Sequence, residues 1–139
     1  MLSFYRMEKE IKKAFLTIDV DFTDYIMGGV KDELEISFHL LKEVFMKFPS
    51  LKTTWFIRID SQMEKAYNHS DIIFLKHESK MEWLRENGHE LGWHHHSYKE
   101  EKGRWIQNTD ERTICEDLLK YGETAKKYNL EIARMGWGF

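Results

Sequence analysis

The sequence predicts an α/β protein in which parallel strands alternate with helices. Short apolar runs alternate with longer amphipathic ones, in the order β-α-β-α-β-α-β, and polar side chains follow the ends of the strands. In such folds, helical crossovers bring functional groups together at the C-terminal ends of the strands. The chain has one proline and no Ser/Gly-rich tract, so we expect a single domain over residues 1–139.

Two strands and one helix are predicted in the first half. Residues 14–20 indicate a buried strand, and residues 53–59, which are β-branched and aromatic, indicate a second one. Between them, the pattern Asp32-x-x-Glu35 has the form of a helix capping box, and Pro49 ends the helix. The apolar residues at helical spacing are Leu34, Phe38, Leu41, Phe45 and Phe48.

The second half predicts two further helices and two strands. Residues 72–87 indicate a helix that Gly88 closes, and residues 89–93 a short strand. Residues 97–108 are polar and predict irregular structure. A helix over 110–128 follows, and a fourth strand begins at 130–134. The apolar residues of this last helix are Ile114, Leu118, Tyr121, Ala125 and Tyr128.

Composition excludes several classes of protein. A net charge of -3 without a basic block argues against nucleic-acid binding. No apolar stretch is long enough to cross a membrane, and the N-terminal residues lack the apolar region of a signal peptide. A single cysteine, Cys115, fits a reducing compartment, and its place in a helical pattern predicts a packing role. We therefore expect a cytoplasmic protein.

Asp19 and Asp21 end the first predicted strand. Residues of the same parity point to one side of a strand, so both carboxylates are expected on one face. Two carboxylates so close repel each other unless a cation lies between them, which favours a metal on one and proton transfer on the other. The alternative is a solvated strand end in which Asp21 caps a turn.

Three consecutive histidines, residues 94–96, follow the third predicted strand. On an extended chain His94 and His96 share a side while His95 points away. If the chain turns helical instead, the partner of His94 is Tyr98. Imidazoles and carboxylates from separate strand ends form the mixed ligand set of a catalytic divalent metal. The alternative is a surface loop with adventitious metal affinity.

The final segment combines a charge, two glycines and a large aromatic. Arg134 can pair with a carboxylate, and backbone N–H groups near Gly136 and Trp137 can donate to a developing oxyanion. The alternative is a simple strand-to-loop transition with Trp137 in the core. Trp93 and Trp137 are candidates for stacking on a sugar ring, although most aromatic residues of such a chain are expected to pack in its core.

Four segments together resemble one family, the NodB-homology polysaccharide deacetylases (carbohydrate esterase family 4). TIDVD at residues 17–21 is similar to the first family motif, Thr-Phe-Asp-Asp-Gly, in its variant with separated aspartates. TTWFI at 53–57 is similar to the second strand, Ala-Thr-Phe-Phe-Val. GHELGWH at 88–94 resembles Gly-His-Glu-Ile-Gly-Asn-His, and RMGWG at 134–138 resembles Arg-Pro-Pro-Tyr-Gly. The four segments occur in the family's order.

The resemblance implies a fold and a set of roles. The fold is a distorted seven-stranded (β/α) barrel, of which this chain carries about four strands. Asp21 and His94 bind a divalent metal, zinc or another first-row ion. Asp19 acts as general base on a water that attacks the acetamide carbonyl, and Arg134 orients Asp19. The backbone N–H near Trp137 stabilises the tetrahedral oxyanion.

The chain departs from the family in two respects. Tyr98 stands at the family's second metal histidine, so either His96 replaces that ligand or the site is weakened. The late motifs are missing, including the histidine that protonates the leaving amine, and no histidine follows His96. The last strand is expected to present an unpaired edge, so we expect self-association or a shortened version of a longer protein.

Three functions follow from these observations. The first is a metal-dependent hydrolase that removes N-acetyl groups from a carbohydrate. The second is a non-catalytic relative that binds metal or sugar, or contributes a structural half-domain. The third is a hydrolase of a small non-sugar amide, which fits the cytoplasmic expectation.

Overall fold

The computed structural model describes residues 15–21 and 33–136. Over these ranges the chain is an α/β protein whose four-stranded parallel sheet curls into a half-barrel, accompanied by five helices and a two-stranded antiparallel sheet. The parallel sheet has the order β1-β2-β3-β6. The elements are β1 Leu16–Val20, α1 Glu33–Lys47, β2 Thr53–Arg58, α2 Ser61–Tyr67, α3 Ile72–Lys76, α4 Glu78–Glu86, β3 Glu90–His95, β4 Tyr98–Glu101, β5 Arg104–Gln107, α5 Glu111–Lys127 and β6 Ala133–Met135.

One face of the parallel sheet packs against helices and forms the core. Side chains alternate along each strand, so Trp55 and Ile57 of β2 and Leu91 and Trp93 of β3 point to the helices. The opposite, concave face receives the remaining side chains of each strand. The predicted parallel β/α architecture is confirmed, and it separates a packed face from a face that carries polar groups.

Several predicted boundaries were wrong. The helix predicted over 72–87 is two helices, α3 and α4, which meet at His77. Helix α2 was not predicted; it begins directly after β2, where the Asp60 side chain accepts a hydrogen bond from the Met63 backbone N–H. Cys115 is exposed on α5, so its predicted packing role is wrong.

Residues 97–108 are not irregular, because they contain the β4–β5 hairpin. Its two turn residues, Lys102 and Gly103, both have positive φ, which is the geometry of a type I′ turn. The flanking strands are short and mostly charged or exposed, so they lack the apolar alternation that marks a strand.

Among the described strands, the first lies at one edge of the parallel sheet, and most of it is not buried. It pairs with β2, and Phe15 and Leu16 at its beginning are exposed. At the other edge, β6 has β3 as its neighbour among the described strands. The self-association expected through this edge stays a prediction. Asp32, the first residue of the proposed capping box, lies outside the described residues.

None of the helices in the described ranges has the length and apolar character that are needed to cross a membrane.

His89 links the beginnings of β2 and β3 through a buried hydrogen-bond network. Its Nδ1 accepts the backbone N–H of Thr53 at 3.2 Å and lies 2.8 Å from the Thr53 hydroxyl, which in turn accepts the Trp55 indole N–H at 2.8 Å. A proton on Nδ1 would face the Thr53 N–H and break this bond. Burial, together with the positive charge of Lys52, lowers the pKa of His89.

We therefore expect His89 to make stability depend on pH. Because its pKa is lower in the folded chain than in the unfolded one, about 6.5, stability is complete above that value. Stability then decreases as the pH falls towards the folded pKa, by at most about 1.4 kcal/mol per pH unit for one proton. Urea unfolding of His89→Gln between pH 7.5 and 5 should show a weaker decrease than the parent chain.

The control for this prediction is His39→Gln, because the side chain of His39 is 76% exposed on α1. It should leave the pH dependence unchanged. Equal pH dependence in His89→Gln and the parent chain would contradict the role assigned to His89.

Candidate metal centre

The parallel register brings polar side chains from all four strands into one row on the concave face. Arg58 of β2 is the register partner of His94 in β3, and His94 is the partner of Arg134 in β6. Val20, the last residue of β1, pairs with Ile57, so the residue that follows the strand, Asp21, lies beside Arg58. The row forms at the C-terminal ends of the strands, where such sheets place their functional groups.

Asp21, His94 and His96 bring three ligand atoms together. The Nε2 atoms of the two histidines lie 2.9 Å apart, and they lie 3.6 Å (His94) and 3.3 Å (His96) from Oδ1 of Asp21. All three atoms lie within 4.8 Å of one another. Both histidines are buried, whereas the Asp21 side chain is 47% exposed, which leaves one side of the group open to solvent.

These separations fit a divalent ion. Zinc bonds to imidazole nitrogen and carboxylate oxygen are about 2.0–2.2 Å long. At angles between a right angle and the tetrahedral value, such bonds place neighbouring ligand atoms about 2.8–3.6 Å apart, which is the range observed. Two imidazole lone pairs at 2.9 Å also repel each other unless a proton or a cation lies between them. The group is therefore a possible metal site with three protein ligands.

The protonation states of the group also suit a cation. A hydrogen bond with His96 lowers the pKa of Asp21, and the neighbouring His94 and Arg58 act in the same direction against the effect of burial. Burial lowers the pKa of His94 below its ordinary value. A carboxylate and a neutral imidazole are the forms that bind a metal, so neither residue needs a large change of charge to do so.

The chain stays extended through the histidines, which decides between the two predicted partners of His94. His94 and His95 belong to β3, so His96 lies on the same side as His94. Tyr98 begins β4. Its ring stacks on the His96 imidazole, with centroids 5.1 Å apart and planes 7° apart.

Trp93 and His95 point to the opposite face of β3. The Trp93 indole N–H and the His95 Nδ1 both contact the carbonyl of Ile59, at 2.9 and 3.1 Å. Trp93 is part of the helix-side core, where Gly122 of α5 lies against its ring. Predicting sugar stacking for Trp93 was therefore wrong, since the strand alternation turns its ring away from the concave face. His95 points away from His94 and His96, as predicted.

Asp19 and Arg134 form an ion pair that crosses the concave face. Nη1 of Arg134 donates to Oδ1 of Asp19 at 2.8 Å, and the guanidinium passes over the Phe56 ring at 4.5 Å. The Phe56 ring lies in turn against Gly92, where an added Cβ would fall 2.8 Å from two ring carbons. Asp19 and Arg134 belong to the two outer strands of the sheet, so the pair depends on the curl that brings these strands towards each other.

Arg58 is a buried cation beside the ligand group. Its Nε donates to Oδ2 of Asp60 at 2.5 Å, and its Nη2 donates to Oε1 of Gln62. Its Nη1 lies 3.7 Å from Oδ1 of Asp21. The guanidinium therefore attracts the Asp21 carboxylate electrostatically, while Asp60 balances its charge. The sequence places Arg58 and Asp60 at a strand end. The contacts of Arg58 with Asp21 and Gln62 join different elements, and no local sequence pattern predicts them.

A cleft of about 360 Å³ opens beside the two aspartates, between β1 and the first half of α1. Asp19, Asp21 and Glu33 are among the residues that line it. Ile18, Val20 and Trp55 also line the cleft, so it lies on the helix-facing side of the sheet and not on the concave face. Trp137, predicted to supply an oxyanion donor and a stacking surface, lies outside the described residues.

We expect Arg58→Met to destabilise the chain, because Asp60 is fully buried and would lose its partner. Removing one member of a buried ion pair costs about 3–5 kcal/mol. The double variant Arg58→Met/Asp60→Asn, which removes both charges, should recover a large part of that loss. Urea unfolding of the three proteins measures the coupling, and equal stability losses in the single and double variants would contradict it.

Comparison with protein-family models, with curated proteins and with solved structures gives no match for this chain. The resemblance to the polysaccharide deacetylases therefore rests on the four sequence segments, and the metal centre rests on the geometry of Asp21, His94 and His96.

Proposed function

We propose that the chain is a metal-dependent hydrolase that removes N-acetyl groups from a carbohydrate. The observation that carries this proposal is the convergence of Asp21, His94 and His96 beside an Asp19 carboxylate held by Arg134. Three protein ligands with an open side are the arrangement of catalytic metal sites, whereas structural zinc sites are closed by four. The donor set suits zinc and other first-row ions, so elemental analysis has to identify the metal.

The chain's own residues have separate roles in this proposal. Asp21, His94 and His96 would hold the ion, and a bound ion would lower the pKa of water and polarise a carbonyl, as an unactivated amide requires. Asp19 takes the proton of the attacking water. Arg134 fixes the Asp19 side chain in one orientation, and a general base needs this because it must lie within hydrogen-bond reach of the proton it removes.

A second candidate is a non-catalytic domain that binds a metal or a sugar. It is favoured by Tyr98, which stands where the resemblance places the second metal histidine. A third candidate is a hydrolase of small non-sugar amides, which would use the same Asp21, His94 and His96 group. An assay of acetate release distinguishes the three candidates. Release from acetylated sugars supports the first, no release from any substrate supports the second, and release from small amides alone supports the third.

The first test is metal stoichiometry by elemental analysis after loading with zinc and desalting. We expect about one ion per chain, and its loss in both Asp21→Ala and His94→Ala, because each removes one of three ligands. His39→Ala is the matched control and should keep the ion, since His39 is exposed on α1. A parent chain that retains no ion would end the proposal.

The second test separates catalysis from binding at Asp19. We expect Asp19→Asn to keep the metal but to release acetate about 10²–10⁴-fold more slowly from N-acetylglucosamine oligomers, because the amide accepts no proton. Asp19 is not one of the three ligands, so the stoichiometry should stay unchanged. Full turnover in Asp19→Asn would remove Asp19 as the base. Sugar binding without acetate release by the parent chain would favour the non-catalytic candidate.

A further inference from the structure

We propose that Gly136 is a positioning residue whose missing side chain makes the space in which His96 joins Asp21 and His94. The inference deepens the proposed function and rests on it, since it concerns the third ligand of the same metal site.

Backbone pairing holds Gly136 against His96. The register of β3 and β6 pairs His94 with Arg134 and His95 with Met135, so His96 and Gly136 come next to each other. The backbone N–H of Gly136 donates to the carbonyl of His95 at 2.8 Å, which continues the pairing beyond the end of β6. The two backbones therefore have little freedom to separate.

The imidazole of His96 occupies the place of a side chain at residue 136. A Cβ built on Gly136 would overlap Cε1, Nε2 and Nδ1 of that ring. Among these atoms is Nε2, which lies 3.3 Å from Oδ1 of Asp21. Residues 134 and 136 have the same parity, so a side chain at 136 would point to the concave face, as Arg134 does. Any residue other than glycine would thus displace the ligand atom itself.

The His96 ring has no room to avoid such a side chain. The Tyr98 ring covers it with nearly parallel planes, and His96 is buried. Its Nε2 also contacts the Nε2 of His94 at 2.9 Å. The ring is therefore confined between the tyrosine, the second histidine and the glycine backbone.

Glycine is needed at residue 136 because the His96 ring fills the place of a side chain there, and not because of the backbone conformation. Among the glycines in the described ranges, positive φ occurs at Gly88 and Gly103 and not at Gly136. An alanine can adopt the backbone conformation of residue 136, so its effect would come from the contact with His96 alone. A substitution at this position consequently tests one steric contact.

The experiment compares Gly136→Ala in two backgrounds, the parent chain and His96→Ala. We expect Gly136→Ala to lower zinc affinity about tenfold or more, as loss of a ligand's correct placement does. It should also lower the urea midpoint of the metal-free parent chain. In the His96→Ala background the same change should leave the midpoint unaltered, because the clashing ring is gone. Gly122→Ala is the matched control, since its Cβ would meet the Trp93 ring at an ordinary 3.8 Å.

Two outcomes would overturn the inference. One is an unchanged zinc affinity in Gly136→Ala. The other is an equal loss of stability in both backgrounds, which would mean that the backbone and not His96 requires the glycine. If the parent chain binds no zinc, the proposed metal function fails, whereas the two-background comparison of stability still decides whether Gly136 makes room for His96.

Discussion

The candidate site depends on one constraint, the side-chain alternation of parallel strands held in register. A strand directs every second residue to the same face, and parallel pairing sets the height at which those residues meet. Asp21, Arg58, His94 and Arg134 therefore lie in one row without any direct attraction being needed to align them. A shift of one residue in the pairing of β3 would turn His94 towards the helices and bring Trp93 to the concave face.

The curl of the sheet adds a second condition, because it decides which members of the row can touch. Neighbouring strands lie about 4.8 Å apart, so the outer strands of a flat four-stranded sheet are about 14 Å apart. Arg134 nevertheless reaches Asp19 at 2.8 Å by crossing the Phe56 ring. Gly92 lets that ring lie close to the sheet, and Gly136 leaves space for His96. The concave face therefore depends on the absence of a side chain at two positions, Gly92 and Gly136.

Burying the charged and polar side chains of the site carries a desolvation penalty, which pairing and hydrogen bonds have to offset. Arg58, Asp60 and three consecutive histidines are buried within a small volume. Buried charges persist when they are paired and hydrogen-bonded, as Arg58 is with Asp60 and Gln62. Metal binding by Asp21, His94 and His96 would relieve the close approach of two imidazole nitrogens. Stability and metal binding are therefore expected to be coupled in this chain.

Periodicity and residue type were sufficient to predict the α/β class, the four parallel strands and the position of Asp19, Asp21, His94 and Arg134 near the strand ends. These features depend on local patterns and on the order of elements along the chain. The choice between His96 and Tyr98 needed the tertiary structure, since it depends on whether the backbone after His94 stays extended. The burial of Trp93, the support that Arg58 gives Asp21 and the space at Gly136 likewise depend on contacts between segments far apart in sequence. Such contacts are set by packing and register, for which a single sequence carries no local signal.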